Sequence, residues 1–277
     1  MQDKWILGII QNRVTEEKAR NINKARDMIS EAAARGARAV ALPEMFNCPY
    51  DNKAFPLFAE SYPGGETIRM LSEAAAANKI YVFGGSIPEE EGDRIYNTCF
   101  VFGPDGTFLA RHRKMHLFDV DIKGKLKFKE SDALGAGNEI TVVNTSLGKI
   151  GVGICYDIRF PELARLMSLQ GAVLMILPAA FNMVSGPAHW ELSVRMRAVD
   201  NQFYVAGIAP ARDETASYVA YGHSVAADPW GQVIGALDEK EGLLMVEIDP
   251  KRIEQVRNEF PLLKHRRQDI YEVKGKY

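Results

Sequence analysis

The chain has 277 residues, of which 47% are hydrophobic and 25% charged. This is the composition of an ordinary globular protein, and it excludes a disordered chain, which carries far less apolar material. The formal net charge of −2 leaves no basic excess for nucleic acid or an anionic membrane, so we expect the partner to be a small molecule or another copy of the chain.

The first half alternates short apolar runs with helical patterns and then changes to a hairpin. Residues 15–35 carry apolar side chains at spacings of three and four, which predicts a helix that ends at Gly36. The hairpin is indicated by the turn sequence Gly103-Pro104-Asp105-Gly106. The other predicted elements are strands at residues 5–10, 37–42, 80–86, 97–102 and 107–111 and a helix at 67–78.

The second half repeats this style. Its predicted elements are strands at residues 139–145, 149–154, 173–177, 203–209, 224–227, 233–236 and 243–248 and helices at 161–170 and 189–201. The turn Asp228-Pro229-Trp230-Gly231 indicates another hairpin. The pattern predicts mixed α/β sheets with helices on their outer faces. No linker divides the chain, so we expect one domain over residues 1–277, with two loosely similar halves.

Three cysteines, Cys48, Cys99 and Cys155, are too few for a disulfide scaffold and favour a reducing compartment. The apolar run after Lys4 is too short for a signal-peptide core. Nowhere do about 18 apolar residues run without interruption, as a membrane span requires. We therefore expect a cytoplasmic enzyme without a membrane span.

Cys155 stands at the end of an apolar strand, shortly before the helix predicted at 161–170. Such an elbow projects a nucleophile into a cleft, although a lone cysteine on an apolar strand is more often a buried structural residue. A thiol with a pKa of about 8.5 needs a base or a cation to react at neutral pH. No histidine of the chain stands in a recognisable cysteine-protease setting.

A carboxylate with a lysine is the alternative to histidine. Glu44 closes the apolar run 37–42, at the strand end where open α/β sheets bind ligands. Lys114 follows the strand of the first hairpin. Each of them alone would be read as a solvated surface residue. Together with the Cys155 elbow, they offer a base and a cation for a thiol nucleophile.

Several segments resemble, in order, signature segments of the nitrilase (carbon–nitrogen hydrolase) superfamily. These are Leu42-Pro43-Glu44, Arg113-Lys114-Met115-His116-Leu117, Gly153-Ile154-Cys155-Tyr156-Asp157-Ile158-Arg159-Phe160-Pro161-Glu162, Gly186-Pro187-Ala188-His189-Trp190 with the segment 195–201, and Tyr221-Gly222-His223-Ser224 with Asp228-Pro229-Trp230-Gly231. The resemblance covers nearly the whole chain. It implies a four-layer α-β-β-α sandwich of two mixed sheets with outer helices.

The resemblance also implies the chemistry. Glu44 would be the general base, Lys114 would stabilise the oxyanion and position the substrate, and Cys155 would be the nucleophile, with no metal or organic cofactor. The superfamily uses a second glutamate between the lysine and the cysteine. Glu130 matches that segment and would hold Lys114. The neighbouring acids, Asp119, Asp121 and Asp132, leave this assignment open.

Within the superfamily, the segments 117–122, 128–131, 180–182, 210–212 and 216–218 resemble the omega-amidase branch. Omega-amidases hydrolyse the terminal amide of 2-oxoglutaramate and 2-oxosuccinamate. The small cleft that such substrates need would be walled by aromatic residues, for which the candidates are Tyr50, Phe118, Tyr156 and Phe181. Arg195 and Arg197 are candidates for the substrate carboxylate, and a structural ion pair is at least as good an interpretation for each.

Other functions compete with this one. Hydrolysis of an N-carbamoyl amine or of a general aliphatic amide would use the same three residues. A binding or regulatory module on the same fold is the non-enzymatic alternative. The spacing of His112 and His116 would suit zinc on a helix, but this segment follows a strand and offers no obvious third ligand. The resemblance further implies a homodimer or higher oligomer, to which the helices 161–170 and 189–201 would contribute.

Overall fold

The computed structural model describes residues 3–275, so both ends of the predicted 1–277 domain lie outside the described residues. The strands in chain order are β1 (Trp5–Gln11), β2 (Ala37–Ala41), β3 (Tyr81–Phe83), β4 (Ile87–Glu91), β5 (Arg94–Phe102), β6 (Phe108–Arg113), β7 (Asp119–Ile122), β8 (Leu126–Lys129), β9 (Thr141–Thr145), β10 (Gly148–Val152), β11 (Ala172–Pro178), β12 (Tyr204–Ile208), β13 (Val225–Ala227), β14 (Val233–Ala236) and β15 (Gly242–Ile248).

The helices are interleaved with these strands. They are α1 (Lys18–Ala34), α2 (Phe55–Phe58), α3 (Glu66–Asn78), α4 (Pro161–Leu169), α5 (Gly186–Asn201) and α6 (Pro250–Glu259), together with short 3-10 helices at Glu130–Asp132 and Cys155–Arg159. None of the helices in residues 3–275 is both long enough and apolar enough to cross a membrane.

Two mixed sheets organise the molecule. The first has the order β15-β1-β2-β3-β5-β4, with β6 paired to β5, and the second has the order β14-β13-β12-β11-β10-β9. Each contains a parallel triple, β1-β2-β3 and β10-β11-β12. Helices α1 and α3 connect the strands of the first triple, as α4 and α5 connect those of the second. The similarity of the two halves is therefore a repeat of topology.

The alternation of side chains along the strands separates the core into layers. In β1, Leu7 and Ile9 lie in a buried cluster with residues of the second sheet. The next residue, Ile10, points the other way and packs with α1 and α3. Helices α4 and α5 join the cluster of the second sheet. The result is the expected four-layer sandwich, with helices outside and two sheets face to face.

Most predicted elements are confirmed, with bounds that shift by a few residues. The turns at 103–106 and 228–231 join β5 to β6 and β13 to β14, as predicted. The single strand predicted at 80–86 is wrong beyond residue 83. The chain turns at Gly85, which has a φ of +54°, and β4 begins after it. The hairpin of β7 and β8 and the helix α6 lie in charged segments that were assigned no element.

Candidate active site

Glu44 lies just beyond the end of β2 and is buried. The following turn is fixed by Ser86, whose hydroxyl accepts the Met45 N–H at 3.0 Å. One carboxylate oxygen, Oε2, accepts the backbone N–H of Ala180 at 2.7 Å. Ala180 follows β11, the strand that corresponds to β2 in the second sheet. The hydrogen bond therefore joins equivalent strand ends of the two sheets.

Lys114 follows β6 and is completely buried. Its ammonium lies between two carboxylates, 3.0 Å from Glu44 Oε1 and 2.9 Å from Glu130 Oε2. The Tyr50 hydroxyl is 3.4 Å from the same nitrogen. A buried lysine is stable only when it is paired, so these two glutamates are a condition for its burial.

Glu130 reaches this position through the small hairpin of β7 and β8, which returns the chain toward β6. Its Oε2 accepts the Phe118 N–H at 2.7 Å. The three acids that competed for this assignment, Asp119, Asp121 and Asp132, are exposed on the hairpin and the turn after it. Of the four, Glu130 is the one that contacts Lys114.

Cys155 forms a sharp elbow between β10 and a 3-10 helix. Its φ is +48°, a left-handed conformation that costs a residue with a Cβ about 1–2 kcal/mol. Cys155 is 5% exposed, and its thiol lies close enough to Glu44 for the two side chains to shift each other's pKa. The Ala180 N–H also interacts with the sulfur. The Ala180 N–H, which contacts Glu44 across the two sheets, therefore also helps to position the thiol.

Burial sets the protonation of these groups. It raises the pKa of Glu44, which the nearby charge of Lys114 opposes. It also raises the pKa of the Cys155 thiol, and the charge of Glu44 adds to this effect. Burial alone would lower the pKa of Lys114, but Glu130 and Glu44 outweigh it and hold that pKa well above its usual value. The resting site therefore contains a neutral thiol beside an ammonium.

Asp157 stabilises the elbow through hydrogen bonds to the segments beside it. Its carboxylate accepts the Ile154 N–H at 2.9 Å and the His116 N–H at 3.0 Å, and it contacts both His112 and His116 through their rings. Hydrogen bonds from these histidines lower the pKa of Asp157, although burial would raise it. No group of three or more His, Cys, Asp or Glu side chains within residues 3–275 is arranged to hold a metal.

The four aromatic residues expected at the cleft all lie beside this cluster. Phe118, Tyr156 and Phe181 line a narrow cleft that contains Cys155. Tyr50 lies on the other side, where it borders a cavity of about 540 Å³ that reaches Glu44 and not Cys155. Its hydroxyl is 3.2 Å from Glu130 Oε1. The two spaces share Ala180 and Tyr218, so they adjoin at the acid–lysine–thiol cluster.

The two arginines that were candidates for the substrate carboxylate make structural contacts instead. Arg195 donates to the Gly231 carbonyl and pairs with Glu191, and Arg197 donates to the Ile158 carbonyl and pairs with an aspartate of its own helix. Neither lines the cleft of the thiol. The structural interpretation holds for both.

Arg159 is the cation that lines that cleft. Its guanidinium lies 5.0 Å from the centre of the Phe181 ring, and Nη1 is 3.1 Å from His189 Nδ1. It makes no ion pair with a carboxylate of residues 3–275. Its place four residues after Cys155, within the segment that resembles the superfamily, was the sequence signal for it.

Asn97, in β5, is a second residue that sequence reasoning missed. Its amide nitrogen lies 2.8 Å from Glu44 Oε1 and 3.3 Å from Glu130 Oε1. Its backbone carbonyl accepts the Lys114 N–H at 2.8 Å. The predicted hairpin contained no signal for this contact, because pairing outward from the turn at 103–106 brings Asn97 opposite His112. The observed register is offset by two residues, partly through a shift between Val101 and Phe102.

Comparison with known proteins agrees with this geometry. The family model described as carbon-nitrogen hydrolase matches residues 6–258. The chain is 52% identical over 273 residues to an omega-amidase of Xenopus tropicalis, covering 99% of both chains. It is 48% identical to the human omega-amidase over 270 residues, covering 98% of each.

A solved structure gives the same result for the fold. Nit3 of Saccharomyces cerevisiae, described as a member of branch 10 of the nitrilase superfamily, superimposes with a TM-score of 0.88 at 40% identity. The match covers 96% of this chain and 97% of Nit3.

Proposed function

The chain belongs to the carbon–nitrogen hydrolase family, and within that family we propose that it is an omega-amidase. Its substrates are small 2-oxo dicarboxylate monoamides such as 2-oxoglutaramate and 2-oxosuccinamate, which it hydrolyses to the acid and ammonia. The observation that carries this proposal is the cleft itself. It places the Cys155 thiol, close to Glu44, in a narrow aromatic space with an arginine that forms no ion pair with a carboxylate of residues 3–275. The relatives at about half identity are omega-amidases.

Acylation begins with proton transfer from the Cys155 thiol to Glu44. The sulfur attacks the amide carbonyl, and the oxyanion meets the Lys114 ammonium and the backbone N–H of Tyr156. That N–H lies in the first turn of a 3-10 helix, where N–H groups lack partners inside the helix. When the carbon–nitrogen bond breaks, Glu44 returns the proton to the leaving group, and ammonia departs.

In deacylation, water is the nucleophile and the Cys155 thiolate is the leaving group. Glu44, again a carboxylate, takes a proton from water, whose oxygen attacks the thioester carbonyl. The carbon–sulfur bond breaks, the thiolate recovers the proton, and the acid leaves. Glu130 holds Lys114 in place during both steps, because it shares the ammonium with Glu44.

Substrate selection follows from Arg159. A monoamide of a dicarboxylic acid keeps one carboxylate, and a guanidinium binds a carboxylate with two parallel hydrogen bonds. Cys155 and Arg159 both line the cleft, so a short acid can place its amide at the thiol and its carboxylate at the guanidinium.

Ammonia release from 2-oxoglutaramate tests the proposal. We expect turnover by the native chain and by Cys99→Ala, and none by Cys155→Ala. Cys99 is a suitable control because it is also buried, but it lies in β5 and carries no role in the site. Turnover of an N-carbamoyl amino acid without turnover of 2-oxoglutaramate would refute the substrate and favour the N-carbamoyl alternative. Failure of iodoacetamide to label Cys155 would favour a non-enzymatic module.

We also propose that the protein is a homodimer or a larger homo-oligomer in the cytoplasm. Leu192 and Met196 on α5 and Leu169 at the end of α4 are exposed. These apolar side chains lie on the two helices that were expected to supply the interface, and burying them would stabilise a dimer. A strictly monomeric protein in sedimentation would exclude this assembly, and Leu192→Glu is expected to weaken it.

A further inference from the structure

Asn97 is buried in the middle of the acid–lysine cluster, although it belongs to a regular strand. The register of β5 and β6 pairs Thr98 with Arg113, so Asn97 stands opposite Lys114. Residues opposite each other in an antiparallel pair project their side chains to the same face. The strand register therefore delivers the Asn97 amide to the same place as the Lys114 ammonium.

The orientation of this amide is fixed by its neighbours. The Nδ2 group faces an oxygen of Glu44 and an oxygen of Glu130, while Oδ1 has no partner among residues 3–275. With the amide turned over, a carbonyl oxygen would face two carboxylates, which is electrostatically unfavourable. Asn97 thus serves as a donor, and leaving its own acceptor unpaired in the interior has a cost.

The Asn97 donor offsets this cost by stabilising the two carboxylates that it faces. The carboxyl groups of Glu44 and Glu130 lie 3.0 Å and 2.9 Å from the single ammonium of Lys114. Both Oε1 atoms face Asn97, and the Tyr50 hydroxyl lies 3.5 Å and 3.2 Å from them. A neutral donor between the carboxylates stabilises their charged forms without adding a proton that chemistry would have to move.

We propose that Asn97 is a positioning residue, which holds Glu44 as an aimed carboxylate beside Glu130 and thereby sets the lowest pH at which Cys155 can be activated. This inference rests on the proposed role of Glu44 as the base. The other titratable groups that face Glu44 are Lys114, Glu130, Cys155, Tyr50 and Tyr218. Of these groups, Glu130 also loses a donor when Asn97 is replaced, so a change in pH dependence reports on the donor that the two carboxylates share.

The test compares Asn97→Leu with Asn201→Leu. Asn201 is a similarly buried asparagine that also donates through Nδ2 and has no partner for Oδ1 within residues 3–275, but it lies at the end of α5, outside the cluster. We expect Asn97→Leu to move the acid limb of kcat/KM to higher pH by about one unit, so that the loss is about tenfold greater below the limb than above it. KM should change little, and Asn201→Leu should leave the limb in place.

The same comparison can be made without a substrate. The rate of Cys155 alkylation by iodoacetamide, followed by mass spectrometry of the Cys155 peptide, should show the same upward shift in Asn97→Leu. No amide turnover by the native chain would therefore defeat the proposed function and leave this measurement to decide on Asn97. A uniform loss at every pH with an unmoved limb would overturn the inference. If Asn97→Leu does not fold, Asn97→Ser is read by the same criterion.

Discussion

Replacing Lys114 with methionine would leave Glu44 and Glu130 facing each other without the ammonium between them. Methionine has nearly the length of lysine and no charge, so the change isolates the electrostatic contribution. The ammonium is completely buried and lies about 3 Å from both carboxylates. We expect a loss of both stability and activity.

The magnitude of each loss can be worked from the contacts. Removing one partner of a buried ion pair costs about 3–5 kcal/mol in the free energy of unfolding. For a chain of this size, that lowers the melting temperature by an amount on the order of 10 °C. Removing a charged donor from an oxyanion site lowers kcat by about 10²–10³-fold.

The stability loss should depend on pH in a defined direction. Lys114 lowers the pKa of Glu44 against the effect of burial, so its removal raises the folded-state pKa of Glu44 further. A carboxyl with a raised folded-state pKa binds its proton more tightly in the folded chain than in the unfolded chain. Stability is then lost as the pH rises from the unfolded pKa through the folded one, by up to about 1.4 kcal/mol per pH unit.

Thermal unfolding of Lys114→Met and of the native chain between pH 5 and pH 8 measures this pH dependence of the stability loss. The difference in melting temperature should be largest at pH 8 and should shrink toward pH 5. Lys123→Met, on the exposed turn between β7 and β8, is the matched control and should show no such trend. A deficit of the same size at every pH would refute the argument, because it would mean that lost packing, and not unpaired charge, causes the destabilisation.

Three further outcomes are expected. Arg159→Met should lower kcat/KM for 2-oxoglutaramate by roughly 10–100-fold, the value of a charge-assisted hydrogen bond. It should leave kcat/KM for a neutral amide of similar size unchanged, and Arg195→Met should leave both values unchanged. In the native chain, kcat/KM should fall as the pH falls through the raised pKa of Glu44, and Glu44→Gln should abolish nearly all turnover. Leu7→Ala, between the two sheets, should cost about 2–5 kcal/mol in denaturant unfolding without moving the pH profile.

The site residues that could be predicted from the sequence lie at the ends of strands. Glu44 and Cys155 each follow an apolar run, and an apolar run of strand length that stops at a polar residue is visible without a structure. Lys114 follows a strand whose partner was identified from a strong turn. Local patterns were enough for these three positions, because each depends on where one strand ends.

The missed parts depend on contacts between distant segments. Asn97 begins a predicted strand and has no local feature that distinguishes it from a solvated residue. Its importance arises from a partner across the hairpin and from two glutamates on other elements. The hairpin of β7 and β8 was missed although both strands alternate charged and apolar residues, because each strand is only four residues long. It is nevertheless the element that returns Glu130 to Lys114.

The topological repeat explains why the site lies where it does. Strands β2 and β11 are equivalent in their sheets, and the residues after them, Glu44 and Ala180, meet across the interface. Because Cys155 follows β10, the parallel neighbour of β11, the thiol stands next to the same N–H. The carboxylate and the thiol therefore belong to different sheets, and their contact exists only while the two sheets keep their alignment. Changes that loosen the sheet interface should reduce activity before they unfold the chain.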